Sequence, residues 1–185
     1  MRVVGVVLAA GAGTRYGGPK GLARDADGTP WVALAVRMLR DAGCDDVLVA
    51  VGASGDEVAA LVPPAATPVA VDEWSLGIGR TLRAALGAAS ALSPDVVVVT
   101  PVDTPTASAA AVERVLAAGA LARAVYRGAP GHPVAIPSAH LGPLIAALPG
   151  DDHGAAAYLA AHGAVEVECA DLWSGADIDT PVEPD

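Results

Sequence analysis

The chain opens on Val3–Leu8, an unbroken apolar, β-branched run, and passes at once into a glycine-rich loop, Gly11–Gly21. A run with no polar alternation fits a strand covered on both faces, as in a parallel sheet. The same grammar repeats downstream. Pro30–Ala42 has helical periodicity, with Trp31, Leu34, Ala35, Met38 and Leu39 on one face. Thr29 is expected to cap it, with Pro30 at its first position and Gly43 at its end. Asp46–Val51 is a second apolar strand, and Ser54 with Glu57 predicts a capping box on a short helix. Pro68–Val71 is a third strand, Leu76–Leu92 a long alanine-rich helix, Asp95–Thr100 a fourth strand and Ala107–Ala118 a further helix. Strands alternating with helices predict an α/β domain with a mainly parallel sheet flanked by helices. The last third is less regular. Ala122–Tyr126 and Pro133–Ile136 read as strands about a turn at Gly128–Gly131, followed by helices near 138–148 and 152–162 and a last strand, Ala164–Cys169. No repeat, linker or low-complexity stretch interrupts the pattern, so one domain is expected over residues 1–185.

Composition excludes several functions. The chain is 53% hydrophobic and 17% charged, unlike a disordered chain. A net charge of −10 argues against a duplex-binding face, and 3% aromatics offer no platform for stacking single-stranded bases, so no nucleic-acid partner is expected. Cys44 and Cys169 have neither disulfide-framework nor zinc spacing. No apolar run reaches the ~18 residues of a membrane span. The start, Met1-Arg2 before a short apolar run, gives way to a polar motif and not to a cleavage site, so a cytoplasmic protein without a membrane partner is expected. The charge is divided: residues 1–40 carry a net +4 and the remainder −14. Lys20 is the single lysine of the chain and falls at the end of the glycine loop.

That loop runs Leu8-Ala-Ala-Gly-Ala-Gly-Thr-Arg-Tyr-Gly-Gly-Pro-Lys20. It is not a P-loop, because Pro19 precedes Lys20 and Gly21 follows it. Nor is it the dinucleotide fingerprint, because Gly11, Gly13 and Gly17 give GxGxxxG. What it offers is backbone N–H groups free to approach an anion, with Arg15 and Lys20 to neutralise a polyphosphate. As a loop lysine, Lys20 is expected to face solvent or ligand.

The loop resembles the LxxGxGxRxGxxK signature of nucleotidyltransferases with a GT-A-like fold, and further segments extend the likeness over nearly the whole chain. Trp74–Leu86 is similar to the GMxxSLRAGL segment of the molybdenum-cofactor nucleotidyltransferases, although it reads Gly-Ile-Gly-Arg-Thr at its start. Val99–Pro105 resembles their D-x-P segment, Gly131–Val134 their GHPV, Gly150–Gly154 a GDxGA stretch that here lacks its following Arg, and Asp177–Pro181 their closing DIDTP. The chain is thus identified as a member of the MobA-like NTP transferase family. The resemblance implies a single GT-A-like nucleotidyltransferase domain that transfers a nucleoside monophosphate from an NTP to a phosphorylated acceptor, with Mg²⁺ and release of pyrophosphate. In the nearest branch the acceptor is molybdopterin, and a transient contact with a cofactor-accepting enzyme follows. Leu8-Ala9-Ala10-Gly11 matches the branch that takes CTP, where the guanylyl branch carries LAGG.

On this reading Arg15, Lys20 and Asp103 are catalytic. Leu8, Ala9, Ala10, Gly11, Gly13, Arg15, Lys20, Asp72 and Asp103 bind the nucleotide. Arg80, Arg83 and His132 face the acceptor, and Asp103 with Asp179 hold the metal. Asp103 follows the fourth strand, at the sheet edge where open α/β sheets bind ligands. Mg²⁺ takes one or two carboxylates plus phosphate oxygens. Two other readings stand beside this one: a family member acting on another small phosphate, such as a sugar phosphate or phospholactate, and a non-catalytic relative that holds nucleotide or cofactor.

Overall fold

The computed structural model describes residues 1–149 and 152–180. Its strands are β1 (Val3–Ala9), β2 (Asp46–Val51), β3 (Thr67–Ala70), β4 (Val96–Pro101), β5 (Ala122–Tyr126), β6 (Ala129–Pro137) and β7 (Val165–Glu168). Its helices are α1 (Trp31–Asp41), α2 (Gly55–Ala59), α3 (Ile78–Ser90), α4 (Ala109–Ala117), α5 (Ser138–Ala147) and α6 (Ala156–Ala161). All seven strands form one sheet in the order β3-β2-β1-β4-β6-β5-β7. β6 alone runs antiparallel to its two neighbours. The other pairings are parallel.

The apolar runs explain this layering. In β1, Val3 and Val7 enter the core beneath α1, while Val4 and Val6 enter the core on the opposite face, with Leu82 and Leu86 of α3 and Leu144 of α5. A strand that must fill both cores cannot alternate with polar residues. At the far side of the sheet, Ala111 and Val115 of α4 close over β5 and β6. No helix among the described residues is long and apolar enough to cross a membrane.

Several boundaries differ from the sequence reading, each for a local reason. Helix α1 starts at Trp31, with Pro30 as its cap residue, because Thr29 is spent on Asp27, to which both its N–H and its hydroxyl donate. The capping box at Ser54 is not formed: Ser54 adopts φ +51° and its side chain makes no cap hydrogen bond. The segment expected as one helix from Leu76 is a 3-10 turn, Trp74–Leu76, then Gly77 at φ +121°, then α3. Strand β6 begins at Ala129, not Pro133, because Arg127 and Gly128 both have positive φ. That makes a two-residue hairpin turn, so pairing resumes at once between Tyr126 and Ala129. Helix α5 runs through Pro143, and α6 is shorter than expected.

Candidate active site

β1 ends at Ala9, and the next residue, Ala10, is still buried, its carbonyl accepting the Ala53 N–H at 3.0 Å. The loop then folds around one carbonyl. Gly13 O accepts the N–H groups of Tyr16, Gly17 and Gly18 at 2.9, 3.0 and 3.1 Å. Gly13 has φ +61°, and a Cβ there would lie 1.9 Å from Gly18 O, so only glycine closes this loop. The closure delivers Lys20 to the head of a 3-10 turn, Lys20–Leu22, with its side chain only 14% exposed.

Two acidic segments meet that lysine. Asp103 lies just past the carboxyl end of β4, beside the end of β1. The segment after β7 returns over the sheet edge and is tied there by the Ile178 N–H donating to Asp103 O at 2.9 Å. Trp173 steadies the same return, donating from Nε1 to Thr106 Oγ1 at 3.0 Å and packing edge-on against Tyr126. Ile178 packs against the core, and its neighbours Asp177 and Asp179 meet Asp103. Lys20 Nζ donates to Asp103 Oδ2 at 2.9 Å and to Asp179 Oδ1 at 2.8 Å, and Arg15 pairs with Asp179 Oδ2 at 2.9 Å.

The electrostatics follow from these contacts. Burial pulls the Lys20 ammonium down, but its bonds to Asp179 and Asp103 outweigh that and hold its pKa above the ordinary value. The hydrogen bond from Lys20, aided by Arg15, holds the Asp179 carboxyl below the usual range. Burial pushes His132 toward its neutral form, against the pull of Asp103 and Asp177. Tyr126 Oη fixes the His132 backbone through a 2.7 Å bond to its carbonyl.

One ligand atom each from Asp103, Asp177 and Asp179 lie within 4.8 Å of one another. Asp103 Oδ1 is buried and finds no hydrogen-bond donor among the described residues. A hard divalent cation suits such a set: all the donors are oxygens, and one is an orphan that a cation would satisfy.

The carboxylates stand at one side of a cavity of about 790 Å³. Leu8, Ala9, Ala10, Gly11, Gly13, Lys20, Asp103 and His132 all line it. Trp74 lines it too, packed so closely over Gly52 that a Cβ there would lie 2.5 Å from the indole. Arg15 and Asp179 join through the ion-pair network at its rim. The remaining predicted residues lie elsewhere. Asp72 is exposed, Arg80 pairs with Glu73 at 2.9 Å, and Arg83 donates to the Leu148 carbonyl at the end of α5. Gly150, Asp151 and Pro181, which carry part of two motifs, lie outside the described residues.

Three charged lining residues, Arg123, Asp152 and Asp177, have no role in the sequence reading. The Asp-Ile-Asp spacing carries the signal for Asp177: in an extended segment, residues two apart share a side. Nothing local in the sequence marks Arg123.

The family model for the MobA-like NTP transferase domain matches residues 5–166, most of the chain and all of the sheet but the first two residues of β1 and the last two of β7. This chain belongs to the MobA-like NTP transferase family. A nucleoside triphosphate is accordingly its substrate class, and nucleotidyl transfer its class of activity. The matched span of the NTP transferase domain contains Arg15, Lys20 and Asp103, whereas Asp177 and Asp179 follow it. Nicotine blue oxidoreductase of Paenarthrobacter nicotinovorans is 33% identical over 192 residues, covering 96% of this chain and 92% of that protein. Among solved structures, the mycobacterial strain JC1 homologue of Mycobacterium tuberculosis Rv0371c superposes with a TM-score of 0.78 at 27% identity, covering 97% of this chain and 92% of that one. Rv0371c itself, solved as a manganese complex, superposes with a TM-score of 0.71 at 25% identity over 91% of this chain and 88% of that one.

Proposed function

We propose that this protein is a Mg²⁺-dependent cytidylyltransferase that moves CMP from CTP to a phosphorylated small molecule, molybdopterin, and releases pyrophosphate. The observation that carries the reading is the meeting of three carboxylates with Lys20 and a glycine loop at the mouth of one cavity. In this reaction an acceptor phosphate oxygen bonds to the α-phosphorus of CTP while the bond from that phosphorus to the α,β-bridging oxygen breaks. Both partners are anions, so the protein's work is positioning and charge compensation. The loop N–H groups and Lys20 hold the triphosphate, Arg15 adds charge at the rim, and the half-buried His132 faces the acceptor as a neutral group. Asp103, Asp177 and Asp179 would hold Mg²⁺, which when bound would offset phosphate charge. That Rv0371c is solved as a manganese complex supports a divalent ion as part of this reading. The protein acts in the cytoplasm and passes its product to a cofactor-accepting enzyme by transient contact.

Ala10 supports CTP: it lines the cavity where the guanylyl branch has glycine, and its methyl narrows the space beside the base. Such a pocket discriminates by about 10²-fold. The test is pyrophosphate release with CTP, GTP or ATP, with Mg²⁺, over a panel of acceptor phosphates that includes molybdopterin. Turnover with CTP and molybdopterin is expected. Equal turnover with GTP removes Ala10 as selector, and turnover only on a sugar phosphate or phospholactate reassigns the acceptor.

A second reading comes from the name of the 33% identical relative, an oxidoreductase. A site built for a nucleotide's phosphates also suits a nicotinamide dinucleotide. Oxidation of reduced nicotinamide dinucleotide by a dye acceptor, with no pyrophosphate from any NTP, would favour it.

A further inference from the structure

The far end of the cavity holds a cation that the reaction above does not use. Arg123 lies on β5 opposite Val134 of β6, and Val134 lies opposite Val99 of β4. Residues opposite each other share a sheet face, so Arg123 shares the cavity face with these valines. Neighbouring strands are about 4.8 Å apart and residues about 3.3 Å along them, which places the backbone of Arg123 roughly 15 Å from that of Asp103. The wall they share is largely apolar, with Val134, Ile136, Ile78, Leu82 and Leu159, and carries His132 and Thr81 as polar members.

Of the described residues lining the cavity, Lys20 and Arg123 carry fixed positive charge. Lys20 is engaged by Asp103 and Asp179. Arg123 is engaged on one edge only, by Glu166, its neighbour across the β5–β7 pairing. The Glu166 side chain is 51% exposed while that of Arg123 is 19% exposed, so a well-solvated carboxylate holds a largely buried guanidinium, and weakly. The Arg123 Nε–H is buried and finds no acceptor among the described residues. A guanidinium presents two donor edges to an oxyanion, and here one edge is unspent.

We propose that Arg123 is a second anion site, which takes a carboxylate or other oxyanion at the end of the acceptor remote from its attacking phosphate. The word acceptor rests on the nucleotidyl-transfer reading; the anion site itself does not. The ligand class is an elongated molecule with an anion at each end and an apolar middle, roughly 10 Å long once the reach of the two side chains is subtracted.

The experiment compares hexyl phosphate with 6-phosphonooxyhexanoate, alike except for a terminal carboxylate, by calorimetric titration. Both are titrated with Mg²⁺, with and without the α,β-methylene analogue of CTP, which cannot be transferred. In the wild type the carboxylate should tighten binding about tenfold, as a charge-assisted, bidentate contact does. Arg123→Gln should bring that ratio to about one and leave hexyl phosphate within about twofold. Glu166→Gln, which frees the guanidinium, should raise the ratio, and it serves if Arg123→Gln does not fold. An unchanged ratio in Arg123→Gln, or a wild-type ratio near one, overturns the proposal; a residue that only ties β5 to β7 would shift the melting temperature and not the ratio. Failure of the CTP analogue to bind overturns the nucleotidyl-transfer reading instead. A carboxylate advantage that still vanishes in Arg123→Gln would then uphold the anion site alone.

Discussion

At the scale of single residues, Lys20 shows how burial and charge decide one position. As a loop lysine Lys20 is expected to face solvent or ligand; it is 14% exposed and bridges two carboxylates of its own chain. Removing it leaves Asp103, Asp177 and Asp179 crowded together with the well-exposed Arg15, on Asp179, as the remaining paired cation. Lys20→Met should therefore lower the melting temperature of the metal-free protein by about 3 °C, and Mg²⁺ should recover more in the variant than it adds to the wild type. Turnover should fall on the order of 10²-fold even with saturating Mg²⁺. The sign of the pH dependence follows from the shifts. The folded Asp179 pKa is depressed, so its share of the stability is complete above 3.8 and is lost as pH falls through the lowered value. The folded Lys20 pKa is raised, so its share is complete below 10.5 and is lost as pH rises through the raised value. The wild-type advantage over Lys20→Met should thus hold steady across neutral pH and shrink in acid. Denaturant melts at pH 7 and pH 3 measure this; an equal gap at both would mean that the ion pairs carry none of it.

At the scale of elements, the site depends on how the segment after β7 is seated. It contributes two of the three clustered carboxylates, and its own secondary structure is irregular. Contacts hold it instead: Ile178 to Asp103, Trp173 to Thr106, and Gly175 against the Tyr126 ring. Gly175 has φ +77°, and a Cβ there would lie 2.3 Å from Tyr126 Cγ. Tyr126 is itself buried and bonded to His132, so the ring cannot yield. Gly175→Ala should lift the segment, cost about 1–3 kcal/mol, and blunt the stabilisation that Mg²⁺ gives. Thermal melts with and without Mg²⁺ check it, and a variant with full metal response would show that the seat tolerates the methyl. The sequence shows the same limit from the other side. Gly175 lies in a stretch with no periodicity, and its packing partner is 49 positions earlier, so no local pattern marks it.

At the scale of the whole molecule, a metal held by Asp103, Asp177 and Asp179 would join parts that are far apart in the chain. Any ligand bound only by the folded state stabilises it by RT ln(1 + [L]/Kd), about 2.7 kcal/mol at a hundred times Kd. For a chain of this length that is about 5–10 °C. Mg²⁺ should raise the wild-type melting temperature by that order at saturation. Asp103→Asn should remove most of the shift, and Asp177→Asn and Asp179→Asn should each remove part. The double variant Asp103→Asn/Asp179→Asn should be little worse than Asp103→Asn, since ligands of one ion are not additive. A wild-type Mg²⁺ response in Asp179→Asn would take that residue out of the set.

The sequence by itself determined the layered α/β plan, because runs such as Val3–Leu8 and Asp95–Thr100 can be satisfied only with apolar cover on both faces. It also marked the glycine loop, with Arg15 and Lys20, by its glycine spacing, and the Asp103 and Asp179 segments by their resemblance to the family's D-x-P and DIDTP motifs. Tertiary structure decided the rest. The sheet order puts the ends of β1 and β4 side by side, and a hydrogen bond from Ile178 to Asp103 then brings Asp177 and Asp179 to Lys20. The three arginines read from local context went different ways: Arg15 to Asp179, Arg80 to Glu73, and Arg83 to the carbonyl of Leu148. Arg123 entered the cavity because β5 pairs with β6 and β7, strands at different sequence distances. A long cationic side chain takes its role from whichever acceptor the fold brings within reach, and that partner is not written next to it in the chain.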